Sequence, residues 1–181
     1  MKLLLRFEDA TLRRGGRLLF EGLHLKLGPG DALHVTGPNG SGKTSLIRLA
    51  AGLLRAESGR VERTELALSD EVLALDRELP LRKALRFWEA EAGMEAMGLS
   101  ALGDVPVRLL SSGQAKRATL ARAAASGAKL WLLDEPLNGL DAEGAERLEA
   151  LIASHRGSGG AVLAASHAKL AGDWAQLELA H

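Results

Sequence analysis

Gly37-Pro38-Asn39-Gly40-Ser41-Gly42-Lys43-Thr44 is the stretch on which the fold of this chain turns. It meets the pattern G-x-x-x-x-G-K-[ST] at every constrained position. Its flanks differ in period. Upstream, Ala32 to Thr36 is a short apolar run of strand type; downstream, Ser45 to Leu54 places Leu46, Ile47, Leu49, Ala50 and Leu53 on one helical face. A glycine-rich turn from strand into helix lets the backbone wrap an anion, so that successive N–H groups and the positive helix end converge on phosphates. Lys43 adds a point charge for the β- and γ-phosphates, and Thr44 a hydroxyl for Mg²⁺. Gly37, Pro38, Asn39, Gly40, Ser41, Gly42, Lys43, Thr44 and Ser45 are therefore the expected nucleotide contacts.

Further along, Leu130-Trp131-Leu132-Leu133-Asp134-Glu135 reads as a buried strand ending in two adjacent carboxylates. Neighbours on a strand face opposite sides, which sends Asp134 toward a metal shell and Glu135 toward an attacking water. A base there must come within about 3 Å of the proton it takes. Alternation of strand and helix around these segments, with fully apolar strands, predicts an α/β fold with a mostly parallel sheet. Expected strands cover Leu3 to Glu8, Leu18 to Leu27, Lys129 to Leu133, Ala161 to Ala165 and Trp174 to Leu179, with Met1 to Arg6 at a sheet edge. Ala142 to Ser154 reads as a helix and His167 to Ala171 as a helical turn. Pro80 to Ala125 is Ala-rich and helical, broken near Gly93, Gly98 and Gly103 to Pro106.

Composition narrows the function. The 181 residues fit one domain, and 23 basic against 23 acidic residues leave no net charge, so neither nucleic acid nor anionic lipid is recruited by bulk attraction. No Cys is present, which removes disulfides and thiolate chemistry. Aromatics make up only 3% of the chain, with three Phe, three Trp and no Tyr, so Leu and Ala must fill the core. No apolar run approaches the ~20 residues that span a bilayer.

Leu110-Ser111-Ser112-Gly113-Gln114 separates the many phosphate-loop classes. Alone it is a Ser N-cap opening a helix. It lies about two dozen residues before Asp134, Leu137-Asn138-Gly139-Leu140-Asp141 follows the carboxylate pair, and Ser166-His167 follows the next strand. That order resembles the ATP-binding-cassette ATPases along essentially the whole chain. The resemblance implies a P-loop NTPase core with N-terminal antiparallel strands and an inserted helical lobe, in one domain. Residues 1–79 and 127–181 would be the RecA-like core and 80–126 the lobe. It also implies a head-to-tail dimer with itself or a related cassette, in which Ser111, Ser112, Gly113 and Gln114 of one subunit close over the ATP of the other. Asp134 and Thr44 would hold Mg²⁺, Glu135 and His167 would act at the γ-phosphate, and Asp141 would couple the two sites. Integral membrane subunits are the implied partners, met at the cytoplasmic face through the lobe. Within the family, Leu19-Phe20-Glu21-Gly22-Leu23, Asp104-Val105-Pro106 and Gly159-Gly160 look most like ATP-binding subunits of cytochrome c maturation, the haem exporters.

Three positions depart from the family. Where a Gln is usual, Leu68-Ser69-Asp70-Glu71-Val72-Leu73 offers carboxylates, and Asp70 or Glu71 is expected to approach the metal. Where an aromatic normally stacks on adenine, Leu12-Arg13-Arg14-Gly15-Gly16-Arg17 offers only arginines, and Arg14 is the expected stacking group. Ser112 stands where many members have Gly. Two other readings remain open: a soluble cassette ATPase serving assembly or regulation, as in iron-sulfur assembly, and a nucleotide-gated module with little hydrolysis.

Overall fold

A computed structural model describes residues 2–70 and 72–179. In chain order its elements are β1 (Leu5–Arg14), β2 (Arg17–Leu27), β3 (Ala32–Thr36), α1 (Lys43–Ala51), β4 (Ser58–Arg63) and β5 (Leu66–Ser69). The lobe follows with α2 (Leu81–Leu85), α3 (Glu91–Ala96) and α4 (Ser112–Ala125), then β6 (Leu130–Asp134), α5 (Ala142–Gly157), β7 (Ala161–Ala165) and β8 (Ala175–Glu178). Three short 3-10 turns at Arg86–Trp88, Ser100–Leu102 and Val107–Leu109 punctuate the lobe. It is thus less helical than its Ala content suggests.

The strands form two sheets. β2-β1-β4 is antiparallel, and β5-β6-β7-β3-β8 is parallel throughout. The start of the chain is not an edge: β1 is the middle strand of its sheet, paired with β2 on one side and β4 on the other. It also runs past Glu8, because Asp9 takes φ 51° and the register slips there instead of ending.

Side-chain parity along the parallel strands builds the core on both faces. Leu130 and Leu132 of β6 join Leu33, Val35, Leu163, Leu46, Ile47 and the β1 residues Leu5 and Phe7. Trp131 and Leu133 point the other way, with Val162 and Ala164, into a second cluster that reaches Leu120, Leu148 and the lobe residues Leu81, Leu85 and Met94. Strands buried on both faces explain the continuous apolar runs. α1 is sandwiched between the two sheets, and α4 with α5 covers the far side.

Because β6, β7 and β3 are neighbours and parallel, their carboxyl ends lie side by side. The loops leaving them begin at Glu135, Ser166 and Gly37. This is where an open α/β sheet places its ligand. After β7 the chain bends and does not form a helical turn. The Ser166 hydroxyl accepts from the Ala168 N–H at 3.1 Å, a side-chain turn that competes with helix.

Candidate nucleotide site

The phosphate loop has the backbone that its glycines permit. Gly37, Gly40 and Gly42 hold φ of 138°, 80° and 105°, angles costly for any other residue. A Cβ on Gly37 would also lie 2.5 Å from the Leu179 carbonyl oxygen and 2.8 Å from Ser41 Oγ. Gly42 is the N-cap of α1, and no side chain caps that end, so the positive helix terminus faces the loop. The Ser41 hydroxyl is buried without a partner among the described residues. Lys43, also buried, donates from Nζ to the carbonyl oxygens of Gly37 at 2.8 Å and Pro38 at 3.1 Å. An uncapped helix end, an orphaned hydroxyl and a lysine folded over them make a cradle for a polyphosphate.

The carboxylates separate as the sequence predicts, but by a different device. Asp134, 5% exposed, accepts from Thr44 Oγ1 at 3.2 Å. Two oxygen donors so close suit a hard cation such as Mg²⁺, which takes few protein ligands and keeps waters and phosphate oxygens for the rest. Glu135 is not a strand residue: its φ of 45° turns the chain sharply out of β6. That left-handed geometry, disfavoured for a residue with a Cβ, swings its carboxylate toward the β7 side. There Oε2 accepts from the His167 N–H at 3.3 Å, and Oε1 lies 3.5 Å from His167 Nε2.

One cleft of about 500 Å³ is lined by Arg14, Leu19, Asn39, Gly40, Gly42, Lys43, Thr44, Ser45, Glu135, Asn138 and His167. It brings together most residues named for nucleotide and catalysis. Leu19 and Asn138 were not singled out; Asn138 could have been found from the turn chemistry of Leu137-Asn138-Gly139, whereas Leu19 carries no chemical signal. The wall holds no aromatic ring. Arg14 extends over it, with Nη1 3.5 Å from Ser45 Oγ.

The signature residues lie outside that wall. Ser111 caps α4 in a capping box: its Oγ accepts from the Gln114 N–H at 3.2 Å, and Gln114 Oε1 accepts from the Ser111 N–H at 2.9 Å. Ser111 and Ser112 are exposed. Gly113 has no room for a side chain, since a Cβ would stand 2.6 Å from the Gly139 carbonyl oxygen. Asp141 caps α5, accepting from the Gly144 N–H at 2.8 Å.

Asp70 corrects an expectation. Its carboxylate folds on its own loop, Oδ1 accepting from the Val72 N–H at 3.1 Å, and it lines a groove with Trp88 and Arg122 and not the nucleotide cleft. Burial lowers the Arg122 pKa, and the charge of Asp70 opposes that shift. Glu71 lies outside the described residues.

Residues 20–138 match the ABC transporter family, and the chain belongs to it. More particularly, it is 55% identical to the "Cytochrome c biogenesis ATP-binding export protein CcmA" of Sphingopyxis alaskensis, over 94% of this chain and 93% of that protein. The CcmA protein of Novosphingobium aromaticivorans is 58% identical over 90% of this chain and 88% of its own length. Among solved structures, an ATP-binding ABC transporter protein of Pyrococcus furiosus matches with a TM-score of 0.85 at 19% identity, covering 97% of this chain and 96% of that one. At such identity the likeness carries the fold, with its parallel sheet, antiparallel strands and helices. As a member of this family the chain is an ATP-binding ATPase subunit of a transporter complex, which has membrane partner subunits. No helix among the described residues is long and apolar enough to cross a membrane.

Proposed function

We propose that this chain binds Mg²⁺-ATP in the cleft at the ends of β3, β6 and β7, and hydrolyses it to drive a membrane exporter of haem for cytochrome c biogenesis. The observation that carries the reading is the convergence of Lys43, Thr44, Glu135 and His167 on that one cleft, with Asp134 bonded to Thr44 behind it. The export role rests on the CcmA relatives, whose names state it for those proteins.

The phosphate chain sits on the N–H groups of the loop from Gly37 to Ser45, with the Lys43 ammonium released from the Gly37 and Pro38 carbonyls onto β- and γ-oxygens. Thr44 and Asp134 would hold Mg²⁺, which would neutralise charge on the triphosphate. Glu135 accepts a proton from water as the water oxygen bonds to the γ-phosphorus, and the bond from that phosphorus to the bridging oxygen breaks to release ADP. His167 borders the γ-phosphate and steadies Glu135. Arg14 lies over the α1 side of the cleft, where its guanidinium reaches the base or the nearest phosphate.

Ser111 and Ser112, exposed at a second helix N-terminus, with the half-buried Gly113 and Gln114 behind them, close over the γ-phosphate from a partner cassette in a two-fold head-to-tail dimer, with Asp141 at the seam. The chain is one cassette domain: core residues 1–79 and 127–181, lobe 80–126. It sits peripherally on the cytoplasmic face and meets its integral membrane partner through the lobe.

Purification of the chain from its own membranes, followed by ATPase assay and identification of the accompanying membrane protein, tests the whole reading. A partner that handles haem and stimulates hydrolysis is expected. An active chain with no membrane protein attached would overturn the exporter role.

A further inference from the structure

His34 sits on β3, the strand that feeds the phosphate loop, and is 4% exposed. A histidine inside a sheet covered on both faces requires a polar partner. Its Nε2 lies 3.1 Å from the Ser166 carbonyl oxygen. A carbonyl only accepts, so Nε2 carries the proton and the imidazole donates. That carbonyl belongs to the same peptide unit as the His167 N–H, which donates to Glu135 Oε2 at 3.3 Å. A peptide unit is planar and rigid, so tilting its C=O tilts its N–H. β3 grips this segment a second time, where the Ser166 N–H donates to the Val35 carbonyl at 3.2 Å. Trp174 stands edge-on to the imidazole, with centroids 6.2 Å apart at 68°, and limits its rotation.

We propose that His34 is a positioning residue for ATP hydrolysis. It sets the tilt of the Ser166–His167 peptide plane, and through the N–H of that plane it aims the Glu135 carboxylate. His34 lines no part of the nucleotide cleft and touches no reacting atom. The Glu135 backbone is anchored separately, its N–H donating to the Ala165 carbonyl at 2.8 Å. What His34 governs is therefore the direction of the carboxylate and not the position of the chain. The inference rests on Glu135 being the base.

Two substitutions in the full chain test it, assayed with the membrane partner where turnover requires one. His34→Leu keeps the volume and loses the donor, whereas His34→Gln keeps an N–H donor of similar reach. The expected result for His34→Leu is a kcat lower by about tenfold or more with KM for ATP within about twofold, and His34→Gln should restore most of the kcat. Amide hydrogen exchange at His167, read by NMR without nucleotide, should be about tenfold faster in His34→Leu and near wild type in His34→Gln. If His34→Leu does not fold, His34→Asn, polar but too short to reach, takes its place with the same expectation. Unchanged kcat, equal losses in KM and kcat, or failure of Gln to rescue would overturn the proposal. An unmodified chain that turns over no ATP removes the base assignment and this inference together; an active one whose His34→Leu variant keeps its kcat removes this inference alone.

Discussion

Nζ of Lys43 stands 3.0 Å from Nε2 of His167, joining the loop after β3 to the bend after β7. An ammonium has only donors, so Nε2 accepts from Lys43, and Glu135 Oε1 lies 3.5 Å from the same nitrogen. The cation, the imidazole and the carboxylate are thus already in contact, and substitution of any one is felt by the others.

Glu135→Gln keeps the size of the side chain and removes its proton affinity. Steady-state hydrolysis should fall by about 100-fold or more, while Mg²⁺-ATP still binds and moves the chain to twice its mass on gel filtration. Hydrolysis at the unmodified rate would exclude Glu135 as the base.

The same residue is held at φ 45°, where a β-carbon costs on the order of 1 kcal/mol or more. Asn tolerates that region better. Glu135→Asn should therefore melt about 2–4 °C higher than the natural chain, as a gain of about 1 kcal/mol does in a domain of this size, yet hydrolyse no ATP. A lower melting temperature would show that the turn carries no strain.

The cleft wall holds no Phe, Tyr or Trp to stack on a base, and Arg14 stands near Ser45 instead. Competition against a fluorescent nucleotide should give ATP and GTP affinities within about threefold of each other. Arg14→Tyr, which supplies a stacking ring, should open that ratio to about tenfold in favour of ATP. Arg14→Ala should weaken both nucleotides alike.

At the other end of β6, His155 stacks on Trp131 with centroids 3.9 Å apart at 12°. Burial lowers its pKa below the ordinary value of 6.5. The unfolded chain therefore takes up a proton on this residue before the folded one does, and the stabilisation is complete above 6.5 and declines as pH falls below it. Urea denaturation between pH 7.5 and 5 should show that decline. In His155→Phe, which keeps a ring on Trp131, the acid-side slope should be smaller. Equal slopes would exclude His155 as its source.

What the sequence made legible was contiguous. Gly37 to Thr44 declares itself because the turn, the charge and the helix start are all local, and Asp134-Glu135 because an apolar strand ends in them. What stayed hidden depends on distant pairing. β4 reads Ser58-Gly59-Arg60-Val61-Glu62-Arg63, mostly exposed and without an apolar face, so nothing in it announced that the N-terminal strand would be flanked on both sides. Position in the chain offers Asp70 or Glu71 to the metal, but the Asp70 carboxylate is taken by its own loop. The partner of His34 lies 132 residues away and is a backbone atom, which leaves no trace in residue types.

The close approach of Gly113 to the Gly139 carbonyl ties the start of α4 to the loop that carries Asp141. The lobe and the core are therefore not hinged at that point: a rotation of α4 carries the loop along. In the proposed dimer a neighbouring cassette would meet a single hard facet, so gripping the nucleotide and sensing the other site become one mechanical event.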